Sequence, residues 1–191
     1  MEQSQIQGNN QQESLLWWLG GIIDGEGCIT INHHRLHRGT LKETLLFSPA
    51  IIISNTNKIL LDKCQEILRN NNLAFYVRYD PEKRNKKWKE RGQIVIVGIK
   101  RCVRALNILS QYLIAKKEEA DLVKKFCEER LRKSKEYKDN RKDLKTGRLL
   151  GGNAPYDEED FKIILRVAEI HNRNPQRLYA EIRNYRLRNK I

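Results

Sequence analysis

The segment Trp18-Leu19-Gly20-Gly21-Ile22-Ile23-Asp24-Gly25-Glu26-Gly27 constrains this chain more than any other. It is an apolar run with paired glycines that ends abruptly in two carboxylates, each followed by glycine. An apolar helix can be stabilised by packing, but its last turn leaves backbone carbonyls without partners. That end is also the negative pole of the helix, where Asp24 and Glu26 are electrostatically disfavoured. Two acids together break the local rule, as functional sites do. A divalent cation would remove the conflict, because it binds carboxylate and carbonyl oxygens. The plainer reading is a buried helix with a glycine C-cap and acids that face water.

The 191 residues fit one domain, or one domain with a tail, and mean hydropathy is low at −0.70. Lys and Arg number 37 against 24 Asp and Glu, a formal charge of +13 with a pI near 9.7. Such a balance favours a polyanionic partner, nucleic acid or an anionic surface. No apolar run reaches the roughly 20 residues of a spanning helix, so no membrane is expected. The Gln/Asn-rich residues 1–13 read as a flexible N-terminus, neither a signal peptide nor an Arg-rich transit peptide. Cys28, Cys64, Cys102 and Cys127 lie far apart without a CxxC pair, which argues for small core residues rather than zinc ligands.

Cys28-Ile29-Thr30-Ile31 opens a β-branched run, and 45–54 reads as its partner strand. Asn55 to Asn57 gives a cap signal for an amphipathic helix over 58–68. A second strand pair, about 74–79 and 93–99, is joined by a lysine-rich loop. Helices over about 101–110 and 116–133 follow, giving the order α-ββ-α-ββ-α-α. From 134 to 156 the chain reads as a basic linker, and 157–191 as a C-terminal helical extension whose first helix spans 157–171.

The run Leu19-Gly20-Gly21-Ile22-Ile23-Asp24-Gly25-Glu26-Gly27 resembles the signature of the LAGLIDADG homing endonucleases, with Glu in place of the more usual final Asp. The element order is similar as well over about 14–131. The resemblance implies an α+β αββαββα core (residues 14–133) whose antiparallel β-ribbons form a DNA-binding saddle, with extra C-terminal helices. It implies site-specific cleavage of both strands of a long, near-palindromic double-stranded DNA target, which promotes mobility of an intron. Cutting two strands takes two signature helices, and this chain has one. Leu149-Leu150-Gly151-Gly152 begins similarly but continues into Asn153-Ala154-Pro155, with no acid and a helix-stopping proline. A homodimer packed through the first helix is therefore expected, with Gly20 and Gly21 allowing close backbone approach. Trp17 and Trp18 fit either the core or that seam.

By the same resemblance Glu26 binds the catalytic metal, with the Gly25 carbonyl as a further ligand, and oxygen ligands favour Mg2+. Asp24 takes an architectural role around the helix end or across the dimer. Lys116, in Tyr112-Leu113-Ile114-Ala115-Lys116-Lys117-Glu118-Glu119-Ala120-Asp121-Leu122-Val123, matches the family's rim lysine and would stabilise transition-state charge. Asn55 is the candidate polar residue that orders water near the metals, although a helix cap explains it equally.

Antiparallel ribbons fit the major groove, and alternate side chains of a ribbon share a face. Thr30, Asn32 and His34 form one alternating set and Arg35 and His37 another; spacing alone leaves the face open. Arg38 and Arg78 add contacts, while Lys83, Arg84, Lys86, Lys87 and Lys89 suit phosphates. The basic excess makes binding salt-dependent. The main alternative is a maturase, with intron RNA as partner; a regulator that has lost the acids and a structural RNA-binding protein leave the acidic helix end unexplained. Enzymes of this kind are encoded in organellar or microbial genomes, so a mitochondrion, a chloroplast or a microbial cytoplasm is the expected setting, and the sequence does not choose among them.

Overall fold

A computed structural model describes residues 2–37, 44–79, 90–139, 154–171 and 174–189, with side chains from residue 11 onward except those of 139, 188 and 189. Helix α1 (Glu2–Glu26) runs into strand β1 (Gly27–Leu36), followed by β2 (Thr44–Asn55), α2 (Lys58–Asn70), β3 (Tyr76–Tyr79), β4 (Gly92–Val97) and α3 (Ile99–Leu109). After a short 3-10 turn (Ser110–Tyr112) come α4 (Lys117–Asp139), α5 (Glu158–Ile170) and α6 (Pro175–Asn189).

The four strands form one antiparallel sheet in the order β1-β2-β4-β3. Gly27 lies opposite Ile53, and Ile53 opposite Ile94, so the alternation carries one set of side chains through all three strands to the same face. That face holds Ile29, Ile31, Phe47, Ile51, Ile53, Ile94 and Ile96, all buried in the core. The helices cover it. α1 contributes Leu16, Leu19 and Ile23, spaced at helical period; α2 contributes Leu61, Cys64, Ile67 and Leu68. Asn57 caps α2 by accepting from Leu60 N at 3.3 Å.

Three features depart from the expectations drawn from the sequence. Residues 2–13 continue α1 rather than standing apart as a flexible N-terminus, and Gln12 Nε2 donates to Asn71 Oδ1 at the end of α2 at 3.2 Å. Gln and Glu are reasonable helix formers, so a nucleus fixed by core packing can extend through a polar segment. α4 likewise runs on to Asp139, beyond the expected end at 133, with Arg132 paired to Glu136 (2.8 Å) one turn along. The third concerns the C-terminal helices, which share the main hydrophobic core: Phe161, Ile164, Val167, Leu178 and Ile182 are buried in the same cluster as Leu19 and Ile29.

Arg130, on α4, anchors that C-terminal part. Its guanidinium donates to the carbonyls of Ala154 and Pro155 and to Asp160 Oδ2 (3.1 Å), and lies 4.3 Å from the centre of the Tyr156 ring. Both charges are buried, a geometry that is tolerable because each is paired and hydrogen-bonded. Asp157 and Asp160 form a capping box at the start of α5. All four cysteines are free. Burial pushes the thiols of Cys64 to about 11 and Cys102 to about 12 and raises that of Cys127 as well, so these three are inert packing groups.

Candidate active site

The end of α1 separates its two acids. Asp24 turns inward to the loop between the 3-10 turn and α4. Its Oδ2 accepts from the backbone N–H of Ile114 (2.7 Å) and Ala115 (3.1 Å), and its Oδ1 from that of Lys116 (2.9 Å). These N–H groups lie in the turn that leads into α4 (Lys117–Asp139), and Lys116, whose carbonyl accepts from Ala120 N, flanks its first residue. Asp24 thus exchanges the unfavourable end of its own helix for the turn that leads into another, near that helix's positive pole. Lys116 completes the exchange, because its ammonium donates to the Asp24 carbonyl and places positive charge at the α1 C-terminus.

Burial by itself would raise the Asp24 carboxyl, but the three N–H donors, with the Lys116 charge, outweigh it and hold the group below the ordinary value of 3.8. A carboxylate depressed in this way contributes stability above its unfolded pKa, and that stability is lost as pH falls through the folded value. Thermal unfolding from pH 7 to pH 2 should therefore show the wild type well above Asp24→Asn at neutral pH and the two curves converging below about pH 3.8. A gap that is constant across this range would rule out the Asp24 network as its origin.

Glu26, two residues on, is exposed, as is Gly25, and a Cβ on Gly25 would meet nothing within 4 Å. The α1 end therefore offers the solvent the Glu26 carboxylate, on a helix end that Asp24 and Lys116 fix. Among the described residues no group of three His, Cys, Asp or Glu side chains could hold a metal ion.

Gly20 and Gly21 have separate surroundings. A Cβ on Gly20 would collide with the Tyr112 carbonyl oxygen and stand 2.9 Å from both its carbonyl carbon and its Cβ; Gly20 is thus an intrachain contact between α1 and the 3-10 turn. A Cβ on Gly21 would meet nothing within 4 Å. Gly21 and Gly25 share an exposed stripe of α1 with Trp18, and Trp17 flanks it; the two indoles are 39% and 49% exposed. Trp17 also stands edge-on to Tyr112, with ring centres 5.2 Å apart.

The register puts Ser54 and Asn55 at the same end of the sheet as Glu26. Asn55 Oδ1 accepts from Asn57 N at 2.8 Å and so shapes the turn into α2, while Asn57 is the helix cap. Ser54 and Gln93, which the sequence reading did not single out, lie opposite one another on the uncovered face, and Gln93 Nε2 donates to Ser54 Oγ at 3.2 Å. Only the strand register reveals that pair.

The same parity sorts the ribbon. Thr30, Asn32 and His34 share the uncovered face with Ser48, Ser54, Gln93 and Arg78. Thr30 is buried, whereas His34 and Arg78 are exposed. Arg35 has the opposite parity and pairs with Glu181 at 2.8 Å, apart from the face that carries Thr30, Asn32 and His34. His37, just past β1, adopts a positive φ of 53° at the mouth of the ribbon loop. Arg38, Lys83, Arg84, Lys86, Lys87 and Lys89 lie outside the described residues.

No family model and no curated protein matches the sequence. Solved structures do match in shape. The homing endonuclease I-TnaI is similar over 90% of this chain and 97% of its own, with a TM-score of 0.57 and 15% identity. I-CvuI, solved in complex with the I-CreI target in the presence of Mg with the DNA not cleaved, is similar over 85% and 97%, with a TM-score of 0.52 and 21% identity. The group I intron-encoded I-CeuI, complexed with DNA, is similar over 81% and 66%, at 0.53 and 12%. The chain has the fold of the LAGLIDADG homing endonucleases.

Proposed function

We propose that this chain is a LAGLIDADG homing endonuclease that cuts both strands of a long, near-palindromic DNA site as a homodimer with a divalent metal. The observation that carries this reading is the split fate of the two acids: Asp24 is consumed within the chain, where Lys116 also meets its carbonyl, and Glu26 is left exposed. A structural helix end has no use for a second, unsatisfied carboxylate at its negative pole.

The oxygen donors at this end, the Glu26 carboxylate and the Gly25 carbonyl, suit a hard cation such as Mg2+. Bound there, the ion would supply an activated water and neutralise charge at the phosphate. One chain has too few ligands, so Glu26 of a second copy would complete the set. The exposed α1 stripe with Trp18, Gly21 and Gly25 is the surface that would bring the second copy close. Lys116 would offset the charge that develops at the phosphate. The uncovered face of the sheet would lie along the major groove, with Asn32, His34, Arg78 and Gln93 toward base edges.

Purified protein incubated with Mg2+ and a DNA library of intron-insertion junctions should produce double-strand breaks with staggered ends, abolished by chelation. Binding to intron RNA with no cleavage of any junction would instead make the chain a maturase.

A further inference from the structure

β1 is an edge strand, and an edge leaves backbone groups that need partners. The C-terminal helices supply them. His171, at the end of α5, has Nε2 2.8 Å from the Ile29 carbonyl oxygen. Phe47 N, on β2, donates to the Tyr156 hydroxyl at 3.1 Å, and the Phe47 ring meets Tyr156 and Phe161 edge-on. Farther along the ribbon, α6 meets residues 33 and 35. There Glu181, 6% exposed, faces three cationic or titratable side chains: Arg35 at 2.8 Å, Arg177 at 3.2 Å and His33 at 3.4 Å. Burial would raise the Glu181 carboxyl, but hydrogen bonds from Arg35 and Arg177 and the nearby positive charges keep it low, hence ionised.

We propose that Glu181 is a positioning residue that clamps the outer half of the β1–β2 ribbon to α6, and so fixes how Asn32 and His34 are presented for base reading. Arg35 and His33 both meet Glu181 and so tie β1 to α6, and both alternate along the strand with Asn32 and His34. Holding Arg35 on the helix side holds Asn32 and His34 on the other, because successive strand side chains point to opposite faces. The bracing itself follows from the contacts; its consequence for base reading rests on the endonuclease function proposed above.

Two measurements separate these levels. Hydrogen exchange of the full-length protein should show amides of 31–36 and 44–48 exchanging at least tenfold faster in Glu181→Gln, with those of 92–97 and the unfolding temperature little changed. Arg35→Ala, which removes the same pair from the strand side, should accelerate exchange of the same amides. Equal exchange in E181Q and wild type would overturn the clamp, whether or not the protein cuts DNA. On a cleaved target, E181Q should raise KM several-fold with kcat unchanged, and relax discrimination only at base pairs met by the β1–β2 ribbon. Uniform loss at all positions, or a fall in kcat alone, would overturn the positioning role.

Discussion

Glu26→Gln should abolish strand cleavage and leave the protein folded and able to bind its target. Glu26 is exposed, so stability should change by no more than about 0.5 kcal/mol. The amide keeps the shape but lacks the charge that a hard divalent ion requires. Because each copy in a homodimer carries the same change, no intact half-site survives, and the rate should fall on the order of 10³-fold or more. Binding should hold within a few-fold or tighten, since the change removes a negative charge that would face phosphates in the proposed complex. Gel-shift affinity measured beside single-turnover cleavage separates the two effects. A variant that cuts at even a tenth of the wild-type rate would remove Glu26 from the chemistry and return attention to Asp24.

Asp24 is the contrasting case, and its position was partly legible. The sequence assigned it an architectural role, yet nothing local identified 114–116 as the partner, because that contact joins residues about ninety positions apart. The helices could be read from apolar spacing, since burial imposes a period that propensity alone does not. Strand parity could not: Thr30, Asn32 and His34 differ from Arg35 only by register, and register is set by Gly27 meeting Ile53 and by which face the helices cover. The pairing of Arg35 with Glu181, about 150 positions away, likewise has no local signal. Asn55 presented two equal uses in sequence; the helix cap falls instead to Asn57, and Asn55 accepts from Asn57 N in the turn before it. The C-terminal helices looked like an appendage because residues 134–156 are polar and highly charged, but α5 and α6 bury their apolar faces in the common core. Composition reports what a segment can bury, not what it meets.

The paired glycines carry the other large effect, and they should respond in opposite directions. Gly20→Ala forces a methyl group onto the Tyr112 carbonyl, part of a backbone turn that cannot swing aside like a flexible side chain. Relief would move α1 or the 3-10 turn, and that turn leads directly into the N–H groups that Asp24 accepts. Overpacking of this kind costs about 1–3 kcal/mol, more when backbone meets it, against a helix-propensity gain of at most about 1 kcal/mol. Chemical denaturation should show a net loss near 2 kcal/mol. Gly21→Ala meets no atom within the chain, so the propensity gain should appear undiminished as a slightly more stable monomer. If the exposed stripe of α1 packs against its counterpart in a second copy, that same methyl group separates the two helices, and self-association followed by analytical ultracentrifugation should weaken by tenfold or more. Wild-type association by Gly21→Ala would exclude close α1–α1 packing at Gly21, and with it the arrangement that joins two Glu26 side chains in one site.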